Sequence, residues 1–142
     1  QTCALPIYPL SDALCNALQV INHLQDCAKD HAALDRVYLP ADWMHAAGTS
    51  VNDLTKDAAT PGMRRVLDQC LDGTERLMAD ARRLPKAMRH KSLAAETAVI
   101  VSIADALVAK LRRQDPIARR VALGPFGFAS ATMYGLLRLW LA

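Results

Sequence analysis

The chain has 142 residues and a mass of 15.5 kDa, with 52% hydrophobic and 22% charged side chains, enough apolar material for one globular core and too much for a disordered chain. Four cysteines at positions 3, 15, 27 and 70 form no C-x-x-C pair and no dense framework, which argues against a zinc site of ordinary spacing or a disulfide-stapled secreted module and fits a reducing cytoplasm. The net charge of +3 does not point to nucleic acid, but it is unevenly placed: residues 8–60 carry three basic and seven acidic side chains, residues 61–142 fourteen and seven. Such a division suits a site where a metal ion and an anion meet.

The first seven residues, QTCALPI, have no initiator Met, basic n-region or apolar h-region, so they do not read as a signal peptide. Back-translated as CAG ACG TGT GCT CTT CCG ATC, they resemble the end of a common sequencing adapter. Residues 1–7 are therefore expected to be a non-native read-through, with the native protein extending upstream of residue 8.

Helical patterns follow in chain order. Ser11 or Asp12 is placed to cap a helix after Pro9, and Leu14, Leu18, Ile21 and Leu24 recur at helical spacing to about residue 32. Beyond a linker at Leu39-Pro40, Asp42 and Thr49 or Ser50 suit the caps of two short helices separated by Gly48. Thr60-Pro61 combines a capping hydroxyl with a proline at the first helical position, and the stripe Met63, Val66, Leu67, Cys70, Leu71, Thr74, Leu77, Met78, Ala81 predicts a helix that stops near Leu84-Pro85. Residues 93–113 predict a buried central helix whose Glu96, Asp105 and Lys110 argue against a membrane span. From Val121 to Leu137 there is no charge, but Gly124, Pro125 and Gly127 predict a loop and then an amphipathic or buried helix. Contact of this last stretch with a membrane surface is an alternative to core packing. No segment alternates like a strand, so the expected fold class is all-α.

The first helix carries the chemistry. Gln19, Asn22, Asp26 and Asp30 fall within an arc of roughly 80° opposite Leu14, Ala17, Ile21, Leu24 and Ala28. Asp26 and Asp30 lie one turn apart, about 6 Å along the axis, where two ionised carboxylates repel each other. A divalent cation removes that penalty. Mg²⁺ prefers hard oxygen ligands and sits between one or two carboxylates and phosphate oxygens, and the amides of Gln19 and Asn22 add neutral oxygens or N–H donors.

The segment ALQVINHLQDCAKDHAALDRVYLPADW resembles the second aspartate-rich motif of the squalene and phytoene synthase family, in which a helical Gln, Asn, Asp, Asp stripe is followed by Arg-x-Tyr-Leu-Pro. Here that segment is Arg36, Val37, Tyr38, Leu39, Pro40. Looser similarity continues through ATPGMRRVLD and RQDPIARRVALGPFGF, so that it covers essentially residues 10–140. The resemblance implies an all-α isoprenoid synthase domain about twice this length, of which residues 8–142 match the C-terminal half. It implies Asp26 and Asp30 as Mg²⁺ and diphosphate ligands and catalytic residues, Gln19 and Asn22 as substrate-binding neighbours, and, near the diphosphate or the reacting chain, Arg36 as a further substrate-binding residue and Tyr38 as a further catalytic one. Gln25 stands before the first Asp, where condensing enzymes often have Arg. In this it looks like the hopanoid-associated branch, which converts presqualene diphosphate and water to hydroxysqualene. His31-Ala32 departs from the aromatic-basic pair expected after the motif.

The resemblance thus implies an isoprenoid diphosphate substrate, presqualene or farnesyl diphosphate, with no nucleic-acid partner and a cytoplasmic or membrane-associated location. Head-to-head condensation of prenyl diphosphates, or a noncatalytic helical relative, are the alternatives. Residues 1–142 contain no first aspartate-rich motif, and the 142 residues alone are expected to be inactive and marginally folded. Outside the motif, the basic run Arg82, Arg83, Lys86, Arg89, His90, Lys91 reads as a solvated helix end. His23 reads as a packing residue, and Cys15 and Cys27 as small buried ones. The Met and aromatic residues at 63, 78, 126, 128, 133 and 140 read as core.

Overall fold

The computed structural model describes residues 7–141, so the expectation about residues 1–7 lies, but for Ile7, outside the described residues. Every regular element among them is helical. The chain runs through α1 (Ile7–Leu34), α2 (Ala41–Ala46), a 3-10 turn (Val51–Thr55), α3 (Pro61–Ala81), α4 (Leu84–Ala87), α5 (Lys91–Arg113) and α6 (Pro125–Trp140).

Neither Ser11 nor Asp12 caps α1, because the helix begins at Ile7 and takes Pro9 into its first turn. Proline is tolerated there, since the first N–H groups of a helix have no intrahelical partner. Leu10, Leu14, Ala17, Ile21 and Leu24 form its buried face and pack against Met63, Val66, Leu67, Leu71 and Met78 of α3. Each fully buried aliphatic side chain contributes about 1.5–3 kcal/mol, so this seam is the main hydrophobic support of the fold. Cys27 is buried as expected, and burial pushes its thiol up to about 11. Cys15, by contrast, is exposed.

The linker 35–60 turns the chain through two specific devices. Asp35 ends α1 in the left-handed region at φ 52°, and Gly48 takes φ 66° between the two short helices. Pro40, and not Asp42, occupies the cap position of α2, while Asp42 lies inside its first turn. Ser50 precedes the 3-10 turn without a side-chain cap bond, and Thr49 instead bonds Asp53. That carboxylate also accepts from Thr60 at 3.2 Å and pairs with Lys56 at 2.6 Å. The hydrogen bonds from Lys56 and Thr49 hold the Asp53 carboxyl down at about 2. Thr60 accepts from the Met63 N–H at 3.1 Å, as its sequence position predicts, and opens α3.

The helix α3 ends at Ala81, before Leu84-Pro85, which instead begin the single-turn α4. Ion pairs stitch α3 and the turn that follows it to α5: Arg82 with Asp105 at 2.7 Å, and Arg112 with Asp72 and Glu75 at 2.5 and 3.0 Å. By length and composition alone, α5 would suffice to cross a membrane. Here it packs against α1, α3, α4 and α6, with Asp105 and Lys110 both bonded to neighbouring protein groups.

Against α5 lies α6, running the opposite way. Ser130 and Gly127 lie beside Ala106 and Lys110, and Gly135 beside Ala98. A Cβ at Gly135 would meet the Ala98 carbonyl oxygen at 2.6 Å, so the two backbones touch where only glycine fits. This contact buries Ala131 and Gly135 and turns the bulky residues outward. Met63 and Met78 belong to the core, but Phe126, Phe128, Met133 and Trp140 are exposed, contrary to the sequence expectation.

Candidate active site

Asp26 and Asp30 project from the side of α1 facing away from the α3 seam, and each meets a partner from elsewhere in the chain. Arg120 reaches Asp26 with two donors, Nε to Oδ1 at 2.6 Å and a terminal nitrogen to Oδ2 at 3.3 Å. The pair leaves Asp26 only 8% exposed. The guanidinium neutralises the carboxylate, which in turn raises the Arg120 pKa above its ordinary value. Asp30, half-buried, accepts the Tyr38 hydroxyl at 2.8 Å through Oδ2. Tyr38 is held by face-to-face stacking on His23, with ring centroids 4.0 Å apart and planes 3° from parallel. His23 therefore packs, as its sequence position predicts, and through that packing aims the phenol at Asp30.

The loop bearing Arg120 is fixed at several points. Asp115 accepts the N–H groups of Ala59 at 2.7 Å and Ile117 at 2.8 Å. Lys110 donates to the Ala122 carbonyl at 2.5 Å, and Val121 is fully buried. Gln25 donates from Nε2 to the Val121 carbonyl at 2.6 Å. Consecutive residues on α1, Gln25 and Asp26, thus clasp consecutive residues of the loop, Val121 and Arg120. An amide is suited to this position because it donates without bringing a second positive charge beside Arg120.

Asn22 and Gln19 lie one and two turns before Asp26 and are exposed. Arg36 is also exposed: its backbone N–H bonds the Asp30 carbonyl at 3.3 Å, which places the residue beside Asp30. Sequence reasoning assigns Arg120 no role. The only available signal was the Arg119-Arg120 doublet in an otherwise apolar segment.

Next to Tyr38, an apolar cavity of about 300 Å³ opens between α1, α2 and α3, lined among others by Val20, His23, Trp43, Cys70 and Leu77. Burial pushes the Cys70 thiol up to about 11, keeping it protonated and unreactive at neutral pH. Among the described residues no group of three or more His, Cys, Asp or Glu side chains is placed to hold a metal ion. Two carboxylates one turn apart, with two exposed amides in register, do fit Mg²⁺. That ion takes one or two protein carboxylates and fills its remaining positions with water and phosphate oxygens. The Arg120 guanidinium is of the type that recognises phosphate oxygens with paired donors.

A carboxylate pair on one helix, with an arginine reaching it from a distant loop in a fold whose described regular elements are all helical, has the makings of a metal-assisted diphosphate-binding protein. The squalene/phytoene synthase family pattern matches residues 5–126, and the chain belongs to that family. The chain is 42% identical over 122 residues to hydroxysqualene synthase of Rhodopseudomonas palustris, a match covering 86% of this chain and 42% of that protein. It is 39% identical over 115 residues to hydroxysqualene synthase of Zymomonas mobilis, covering 81% and 39%. It is also 40% identical over 62 residues to phytoene synthase of Thermus thermophilus, covering 44% and 21%. The chain therefore spans about two-fifths of the length of the first two relatives. No solved structure gives a significant match.

Proposed function

We propose that this chain is the part of a hydroxysqualene synthase that carries one half of its diphosphate site. The carrying observation is the Asp26–Arg120 and Asp30–Tyr38 arrangement, set in a stretch whose long matches are to proteins of that name. The reaction exchanges the diphosphate of presqualene diphosphate for the oxygen of water with opening of the cyclopropane ring. The carbon–oxygen bond to diphosphate breaks, the cyclopropylcarbinyl carbons rearrange and a ring carbon–carbon bond opens to leave a double bond, a carbon–oxygen bond to water forms, and the water loses a proton. Mg²⁺, when bound by Asp26 and Asp30, supplies the Lewis-acid pull on the departing diphosphate.

The chain's own residues do the rest of the binding. Asp26 and Asp30 would hold the cation. Arg120, bonded to Asp26, lies where its guanidinium would offer donors to a diphosphate oxygen. Gln25 keeps the Arg120 loop in place through the Val121 carbonyl. Tyr38 fixes the orientation of Asp30, and Gln19, Asn22 and Arg36 offer further donors along the same side of α1.

The test supplies full-length protein with Mg²⁺ and presqualene diphosphate in ¹⁸O-labelled water. The expected product is a thirty-carbon alcohol carrying the solvent oxygen. The phytoene synthase similarity favours a second reading, condensation of two prenyl diphosphates. An unlabelled hydrocarbon formed from farnesyl diphosphate, with no alcohol from presqualene diphosphate, would select that reading.

A further inference from the structure

Among the described residues, most of the exposed large apolar side chains gather on and just after α6. Phe126, Met133, Leu137 and Trp140 follow one another at seven, four and three residues, which puts them within about 60° on one side of a helix. They are 89%, 69%, 53% and 87% exposed. Leu141 and Tyr134 flank them, and residues 121–137 carry no charge. The opposite side of α6 is occupied by its close contact with α5 through Gly135 and Ala131, so this stripe has no partner within the described fold.

Charge surrounds one end of the stripe. Since α6 runs antiparallel to α5, its C-terminal end lies toward the start of α5. There residues 82–91 bring Arg82, Arg83, Lys86, Arg89 and Lys91 without a carboxylate. Arg82, paired with Asp105, and Lys86 and Arg138 line a shared depression between α4, α5 and α6, and the Arg138 guanidinium lies 5.8 Å from the Tyr134 ring centre. From residue 116 to the C-terminus there is no acidic side chain.

We infer that α6 lies in the interface of an anionic lipid bilayer, its Phe126–Trp140 stripe entering the acyl boundary while Lys86, Arg89, Lys91 and Arg138 meet the lipid phosphates. An uncharged helix face edged by cations, with Trp at one end, has the amphipathic character that binds a membrane surface without spanning it. This inference goes beyond the proposed reaction and stands independently of it.

The experiment sediments full-length protein with vesicles of seven parts phosphatidylcholine to three parts phosphatidylglycerol, and with phosphatidylcholine alone. The expected result is sedimentation with the anionic vesicles that weakens at high salt. Met133→Glu with Leu137→Glu should lower vesicle affinity at least about tenfold while leaving the circular dichroism melt and the mass in light scattering unchanged. Lys86→Gln with Lys91→Gln should weaken binding several-fold on anionic vesicles only. If the glutamate pair misfolds, Met133→Ser with Leu137→Ser reads the same loss. Wild-type protein remaining in the supernatant would overturn the inference, as would unaltered binding by the apolar-stripe variants. A change in mass would identify a second copy of the chain as the occupant of the stripe. A lowered melting temperature in well-folded variants would identify another part of the same protein. Either outcome would replace the bilayer.

Discussion

The helices α1 and α6 solve opposite packing problems. On α1 the large aliphatic residues point inward and the polar ones outward, so burial of Leu14, Ile21 and Leu24 anchors the helix. On α6 the small residues point inward and the large ones outward, and a backbone contact at Gly135 holds the helix. The outer side of α1 is nevertheless the better satisfied of the two, since Arg120 and Tyr38 close over its carboxylates while nothing described covers Phe126 or Trp140. The contrast shows that a helix can be anchored by aliphatic burial and present chemistry outward, or be anchored by backbone proximity and present apolar surface outward.

The contrast can be tested by substitutions on the two helices. Ile21→Ala should cost about 3–4 kcal/mol, because its side chain is fully buried in the α1–α3 seam, and should lower the melting temperature more than any α6 truncation. Leu137→Ala should change stability by less than about 0.5 kcal/mol, and an equal loss from both would refute the asymmetry. Gly135→Val should cost about 1–3 kcal/mol by forcing α6 off the Ala98 carbonyl, and hydrogen exchange should show the loss confined to α5 and α6. Gln25→Leu should cost about 1–2 kcal/mol by leaving the Val121 carbonyl without its donor, and should loosen Arg120 from Asp26. The smallest effect concerns pH. The Asp53 carboxyl is held near 2, below its unfolded value, so its contribution is present above about pH 4 and is lost as pH falls toward 2. Melting curves from pH 5 to 2 should fall less steeply in Asp53→Asn than in the wild type.

Local patterns in the sequence found most of this architecture. The α1 stripe, the Thr60 cap and the α3 apolar series all depend on residues within a few turns of one another, where periodicity and capping chemistry are decisive. The start of α1 was misplaced because a proline in the first turn looks like a break before the helix. The outward side of α6 was misread because apolar content does not say which side of a helix meets its neighbour; the small residues at 131 and 135 do, once the close approach to Ala98 is seen. Arg120 was missed for a different reason. It stands 94 residues from Asp26 on an irregular loop, and it is aimed by Asp115, Lys110 and Gln25, none of which shares a periodic pattern with it.

The central claim is that Asp26 and Asp30 hold the cation that draws diphosphate away from its isoprenoid. Its most direct test is diphosphate release from presqualene diphosphate by the full-length protein, compared with Asp26→Asn/Asp30→Asn under saturating Mg²⁺. The account predicts a fall of at least about a thousandfold in turnover with the fold intact by circular dichroism. Turnover unchanged in the double variant would contradict it.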